Sequence, residues 1–284
     1  MENNSIQNKS RVKEYTLFLF MSLLSVVFLL PILIVAMNSF KGKLYISDNP
    51  FALPNGTTFS GIENYLSGIE LVGFFQAFGL SLFVTVFSVL VIVLFTSMTA
   101  WYIVRVKSKF TRMLYYLFVF AMVVPFQMVM FTMVKMANMT HVDNPIGIVI
   151  IYLGFGAGQA VFIFSGFVKS IPLEIEEAAV IDGCNPFQTF FKVVIPIMKP
   201  VAITVAILNV MWIWNDYLLP YLVLGTQEFK TIPVAVQYLN GAYGASNMGA
   251  MMALLVLAVL PVIIFYVLCQ KYIIEGIVAG AVKG

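Results

Sequence analysis

Four acids, Glu174, Glu176, Glu177 and Asp182, fall within nine positions of a polar stretch, Lys169 to Pro200, reading KSIPLEIEEAAVIDGCNPFQTFFKVVIPIMKP. An enzyme would set such groups beside paired catalytic partners, and none appear. The single histidine, His141, has no companion for a metal site, and Cys184 and Cys269 are not ligand-spaced. No Ser/His/Asp set and no zinc-spaced cluster is present. The only Gly-Lys pair, Gly42-Lys43, is followed by Leu44, so no phosphate-cradling G-x-x-x-x-G-K-[ST] loop exists. No residue is therefore assigned to catalysis or to a metal. What the stretch offers is charge and shape.

Two short helices must carry it. Ser170 caps the first, Pro172 fits its opening turn, and the three glutamates sit where the helix dipole favours negative charge. Gly183 ends it, since a left-handed residue costs roughly 1–2 kcal/mol for anything with a Cβ. Asn185 then caps a second helix, with Pro186 at its first position and Gln188 closing a capping box. Ile175, Ala178, Ala179 and Asp182 form a thin ridge at i, i+3, i+4, i+7 spacing. Phe187, Phe190, Phe191 and Val194 repeat that spacing as an aromatic stripe. Such faces suit a groove on another protein. Spacing alone supports equally a pair of helices lying on a bilayer surface.

The run Glu177-Ala178-Ala179, then Gly183, then Val193, Ile195 and Pro196, resembles the EAA loop of permease subunits in ATP-binding-cassette importers of the maltose-transporter type. Val193 stands for the family's isoleucine and Ile195 for its leucine. The resemblance implies that the loop (169–199) is a cytoplasmic coupling helix between spans 4 and 5. It implies docking to an ATPase through Glu177, Ala178, Ala179, Asp182, Gly183, Phe187 and Pro196. It further implies a second homologous permease, two cytoplasmic ATP-binding subunits and an extracellular solute-binding protein as partners. ATP and Mg would then sit on the ATPases, with no cofactor on this chain.

Composition fixes the solvent. The chain is 61% hydrophobic and 10% charged, with mean hydropathy +0.96, where a soluble domain averages about a quarter charged. This predicts an all-α integral membrane protein, and the resemblance implies that 1–284 is one permease domain. A net charge of +3 gives no argument for nucleic acid. Six stretches are long enough to span, at about 20 residues each: 15–37, 76–100, 113–134, 146–168, 200–222 and 249–270. The first is too long for a signal peptide's apolar core and is expected to be retained. Pro31, Pro125 and Pro261 fall inside spans, where neighbours can satisfy freed carbonyls. Gly154, Gly156, Gly158 and Gly166 predict close helix–helix approach. Twelve cations lie on one side: Lys9, Arg11 and Lys13; Arg105, Lys107, Lys109 and Arg112; Lys169, Lys192 and Lys199; Lys271 and Lys283. Four, Lys41, Lys43, Lys135 and Lys230, lie on the other. The twelve-cation side is expected to be cytoplasmic, with both termini and the 169–199 loop, and the protein a multi-pass protein of the bacterial cytoplasmic membrane.

The fifth span closes with NVMWIWNDYLLPYL, bringing Asn209, Trp212, Trp214, Asn215, Asp216 and Tyr217 to its outer half. Aromatic faces and directional hydrogen-bonding groups are what a sugar needs. An interfacial aromatic belt reads the same way. An ionised Asp216 facing lipid would cost about 2.5–3.5 kcal/mol, so it should face a cavity or a partner. Gln127, beside Pro125, is a further cavity candidate, with an interhelical hydrogen bond as its other reading. On the outer side, SGIENYLSGI resembles a stretch common before the second span in sugar-importer permeases; it also reads as an ordinary loop. The outer loop 223–248 is placed, by its resemblance to the maltose-transporter type, against the binding protein, through Tyr243, Gly244, Ala245, Ser246 and Asn247. The tail YIIEGIVAGAVKG resembles the family's ATPase-contacting end. The resemblance implies import of a carbohydrate, read as an oligosaccharide, driven by separate ATPases. A glycerol phosphodiester or polyol importer, or an ATP-independent secondary transporter, is the alternative; the latter would want an internal repeat and mid-bilayer ion pairs.

Overall fold

The computed structural model of the protein describes residues 2–225, 228–239 and 247–281, with side chains described only between 13 and 272. The helices are α1 (Glu2–Asn38), α2 (Lys43–Asp48), α3 (Glu63–Val72), α4 (Phe74–Arg105), α5 (Lys109–Val123), α6 (Phe126–Met139), α7 (Pro145–Val168) and α8 (Leu173–Ile181). They continue with α9 (Pro186–Thr189), a π-helical turn (Phe190–Val194), α10 (Ile195–Asn215), α11 (Leu218–Leu224), α12 (Ile232–Tyr238) and α13 (Met248–Ala281). Among the described residues strand pairing is limited to an isolated bridge between Lys41 and Phe59.

Five helical segments are long and apolar enough to cross a membrane, 13–38, 74–105, 145–168, 186–215 and 248–272. A sixth arises if α5 and α6 together make one span, but that pair is bent by 104°. The expected span over 113–134 is thus broken at the proline it contains. Pro125 has no N–H to give and its ring excludes the carbonyl four residues back, while Val124 before it is forced extended, at ψ 116°. The expected span over 200–222 also stops short, at Asn215. Pro31 and Pro261, by contrast, lie inside continuous helices.

The chain divides into two compact units, Met1–Val72 with Val236–Val259, and Gly73–Ala235 with Leu260–Gly284. In the first, the most apolar window of α1 buries nothing within the chain, leaving a full apolar surface for lipid or another subunit. The stretch after α1 is stapled by the SGIENYLSGI segment. Asn64 Nδ2 donates to the carbonyls of Ser39 and Lys41, both at 2.8 Å, and the Tyr65 hydroxyl meets Ser39 Oγ at 2.7 Å. The Asn-Tyr pair therefore has a structural task that reading it as an ordinary loop leaves out.

The second unit is built on α4 against α7, flanked by α5 and α10. Ile92, Ile148, Tyr152, Ala160, Phe164, Val168, Val194 and Met198 form its dry centre. Of the four α7 glycines expected to allow it, Gly154, Gly156, Gly158 and Gly166, two carry the close approach. A Cβ on Gly158 would stand 2.7 Å from the Phe118 carbonyl of α5, and one on Gly156 would stand 2.7 Å from Ile92 Cδ1 of α4. Gly154 and Gly166 are exposed and, among the described residues, meet nothing within 4 Å, so within this chain the expectation is not met for them. Gly158→Leu should consequently cost about 1–3 kcal/mol of stability by overpacking, whereas Gly154→Leu should change little. Equal thermal unfolding of the two variants in detergent would remove this account of the α5–α7 contact.

Candidate functional site

Between α7 and α10 the chain makes a compact elbow of α8, α9 and the π turn. Gly183 is left-handed at φ +87° and ends α8 in a Schellman arrangement: Cys184 N–H reaches the Ala179 carbonyl at 2.9 Å and Gly183 N–H reaches Val180 at 3.0 Å. Asn185 Oδ1 accepts from Gln188 N–H and Gln188 Oε1 accepts from Asn185 N–H, both at 2.9 Å, closing the capping box of α9. The start of α8 differs from expectation. Ser170 Oγ donates to the Phe167 carbonyl at 2.7 Å, so the hydroxyl is spent on the end of α7, and Pro172 takes the cap position. Past α9 the helix widens to π form. Pro196 would collide with the carbonyl four residues earlier, and the wider turn relieves it, with Ile195 N–H reaching back five residues to Phe190.

The elbow has two sides. Glu177, Ala178, Asp182, Gly183 and Pro196 are exposed, together with Ile175, Val180 and Ile181. Phe187 is 66% exposed, but Phe190, one turn on, is 1% exposed and lies against Trp101 of α4 with ring centroids 5.4 Å apart. Ala179 and Val194 also point inward. The expected aromatic stripe and thin ridge are therefore each divided, half anchoring the elbow and half offered outward. Trp101, Leu173, Glu177, Val180, Ile181 and Pro186 line a cavity of about 530 Å³ at this outer face.

The anchor escaped the sequence reading. Glu176, 6% exposed, receives Arg105 Nε at 2.9 Å and Nη2 at 2.6 Å on Oε1, and Trp101 Nε1 at 2.9 Å on Oε2. Arg105 Nη2 also donates to the Ile171 carbonyl at 3.0 Å. A carboxylate holding two side-chain partners this way is a charge-assisted clamp. It fixes α8 to the last turn of α4 across 71 positions of chain, and no local signal distinguishes Glu176 from the exposed Glu177 beside it.

At the other end of α10, the polar and aromatic cluster is likewise sorted by burial. Asp216 is held within the chain: Tyr152 OH donates to Oδ2 at 3.0 Å, while Oδ1 accepts the N–H groups of Leu218 at 3.0 Å and Leu219 at 3.4 Å, starting α11. Trp212, 42% exposed, meets the Tyr152 ring edge-on at 5.5 Å, while Trp214 is buried against Phe78. Asn209 is buried, donating to the Val205 carbonyl, and its Oδ1 has no hydrogen-bond partner among the described residues. Asn215 is exposed, bonded to the Met211 carbonyl, and Tyr217 stacks on Tyr221 at 5.1 Å. Gln127 is exposed on the first turn of α6 and makes no hydrogen bond among the described residues, in place of the interhelical bond expected of it. Of the outer-tip residues, Tyr243, Gly244, Ala245 and Ser246 lie outside the described residues; Asn247 caps α13, accepting from Ala250 N–H at 3.2 Å. The tail's helix runs to Ala281.

A family model described as "Binding-protein-dependent transport system inner membrane component" matches residues 92–278. The "Probable starch degradation products transport system permease protein AmyC" of Thermoanaerobacterium thermosulfurigenes is 40% identical over 97% of this chain and 99% of its own length. The "Multiple sugar-binding transport system permease protein MsmG" of Streptococcus mutans is 31% identical over 98% of this chain and all of its own. Among solved structures, a chain of a bacterial ABC transporter involved in the import of the acidic polysaccharide alginate aligns with TM-score 0.76 at 22% identity, covering 92% of this chain and 96% of that one.

Proposed function

Because the chain belongs to the family of binding-protein-dependent transport system inner membrane components, a family of multi-pass transport permeases and not of enzymes, we propose that it forms one half of an importer's pathway for a neutral oligosaccharide. The observation that carries the substrate class is end-to-end similarity, at 40% and 31% identity, to permeases whose names specify starch degradation products and multiple sugars. The second half is a homologous permease, and an external receptor delivers the sugar to the outer loop around residues 243–247. Trp212 and Asn215, which are exposed, and Tyr217, which is half-buried, take the substrate-facing role, with Gln127 as a further contact. Asn209, Trp214 and Asp216 hold that end of α10 in shape.

Energy enters at the elbow, with ATP and Mg on two cytoplasmic ATPase subunits. Glu177, Ala178, Asp182 and Phe187 are the docking face, Ala179, Gly183 and Pro196 set its geometry, and both termini share its side of the membrane. Moving a two-state transporter from 1:99 to 99:1 takes about 5.5 kcal/mol of differential stabilisation. A soft loop would dissipate that, and the doubly capped elbow clamped to α4 supports its assignment as a rigid lever. Glu177→Lys places a cation on the docking face without touching the clamp. It should cut ATPase co-purification at least tenfold while leaving the amount of membrane-inserted chain unchanged. Proteoliposomes carrying both permeases and both ATPases, supplied with receptor and labelled maltodextrin, should accumulate sugar only with ATP. Uptake without nucleotide, or undiminished ATPase retention by the variant, would defeat the reading.

A further inference from the structure

A second cavity, of about 680 Å³, opens beside the clamp where α4 turns into α5. Its lining carries five cations, Arg105, Lys107, Lys109, Arg112 and Lys169, and no acid. Arg105 is spent on Glu176. Lys107, Lys109 and Arg112 have no ion pair among the described residues, and Lys169 rests over the Tyr115 ring at 5.6 Å to its centroid. Ser165 lines the same cavity, is fully buried, and its hydroxyl has no hydrogen-bond partner among the described residues. The first turn of α5, a 15-residue helix capped by Ser108, adds the positive end of its dipole. Unneutralised cations, an unspent hydroxyl and a helix N-terminus converging on one space describe a site for an oxyanion.

The surroundings decide which oxyanion. Ile103, Val104 and Tyr115 form an apolar wall of the cavity, and the adjoining surface of α5 exposes Phe110, Met113, Tyr116 and Leu117. A soluble anion has no use for that flank, whereas acyl chains do. We propose that this cavity binds the phosphodiester headgroup of an anionic membrane lipid, with the chains laid along α5. The occupant's leaflet follows from the inward orientation of the elbow put forward above; its binding does not depend on transport.

The test is native mass spectrometry of the full chain purified in detergent, offered equal amounts of phosphatidylglycerol and phosphatidylcholine. The chain should retain phosphatidylglycerol preferentially, and K107Q/K109Q/R112Q should reduce that retention about tenfold or more, while K107R/K109R/R112K keeps it. Ser165→Val, which fills the inner end without changing charge, should weaken retention as well and guards against a triple variant that fails to fold. Equal retention of the two lipids, or unchanged retention in both the triple variant and Ser165→Val, overturns the proposal. Competition by millimolar inorganic phosphate would reassign the cavity to a soluble anion. Loss of ATPase co-purification by the triple variant with lipid retention intact would reassign it to a protein partner. Retention is read without nucleotide, so its failure leaves the importer reading standing, and failed uptake leaves the lipid result standing.

Discussion

Glu176→Ala should be among the most damaging single substitutions in the chain, costing about 3 kcal/mol of stability. Removing one member of a buried ion pair leaves the other charge uncompensated, a loss of about 3–5 kcal/mol when burial is complete. The side chain of Arg105 is 18% exposed and recovers part of that from solvent, which places the expectation at the lower end. Trp101 Nε1 loses its acceptor in the same step. Glu176→Gln keeps a single acceptor oxygen and turns its amide NH2 toward either Trp101 Nε1 or Arg105, so one donor is left unsatisfied and the cost should be about 1–2 kcal/mol, below that of the alanine variant. Arg105→Lys should behave more like the alanine variant than like the glutamine one. Three donations leave the guanidinium, two to Glu176 Oε1 and one to the Ile171 carbonyl, and an ammonium at the end of a flexible stem does not reproduce that fork. Thermal unfolding in detergent gives the order of stabilities. Proteolysis between 169 and 185, which should accelerate when α8 is released from α4, gives the location. An alanine variant that unfolds and resists cleavage like the unaltered chain would remove the clamp from the account.

That clamp marks where the sequence stops being legible. Gly183, Asn185 and Gln188 announce themselves because caps are satisfied within three or four residues, and the structure closes both ends as the spacing predicts. The apolar spans are legible for the same reason: a membrane imposes length and composition on each segment alone. Contacts between segments carry no such signature. The partners of Glu176 and Asp216 lie 71 and 64 positions away, so a buried structural carboxylate and an exposed one look alike in the sequence. Helical periodicity likewise groups Phe187 with Phe190 on one face, but it does not reveal that the boundary between own core and outer surface runs between them. Pro125 was visible as a proline, while the 104° bend depends on what the two halves pack against. Ser170 shows a local rule misapplied, its hydroxyl being claimed by the helix it follows and not the one it precedes.

Asp216→Ala should cost about 2–4 kcal/mol, and the cost should come from two separable sources. The cap on α11 is worth about 1 kcal/mol. Tyr152, buried at 0% exposure, is left with a hydroxyl that has lost its acceptor, worth about 1–3 kcal/mol. Tyr152→Phe removes the donor and leaves the cap, so it should cost about 1 kcal/mol, and the double variant should be less than the sum of the two because both changes delete the same bond. Asp216→Asn retains an oxygen for the cap and a second polar group for Tyr152, and should stay near the stability of the unaltered chain. These variants also separate architecture from transport. A residue that shapes the C-terminal end of α10 changes how much folded protein reaches the membrane, while Trp212 and Asn215, exposed beside it, should change KM for the sugar at constant amount. If Asp216→Asn raised KM sharply at unaltered stability, the carboxylate would belong to the sugar and not to the fold; if Asp216→Ala cost nothing, neither the cap nor the Tyr152 bond would be holding this end of the helix.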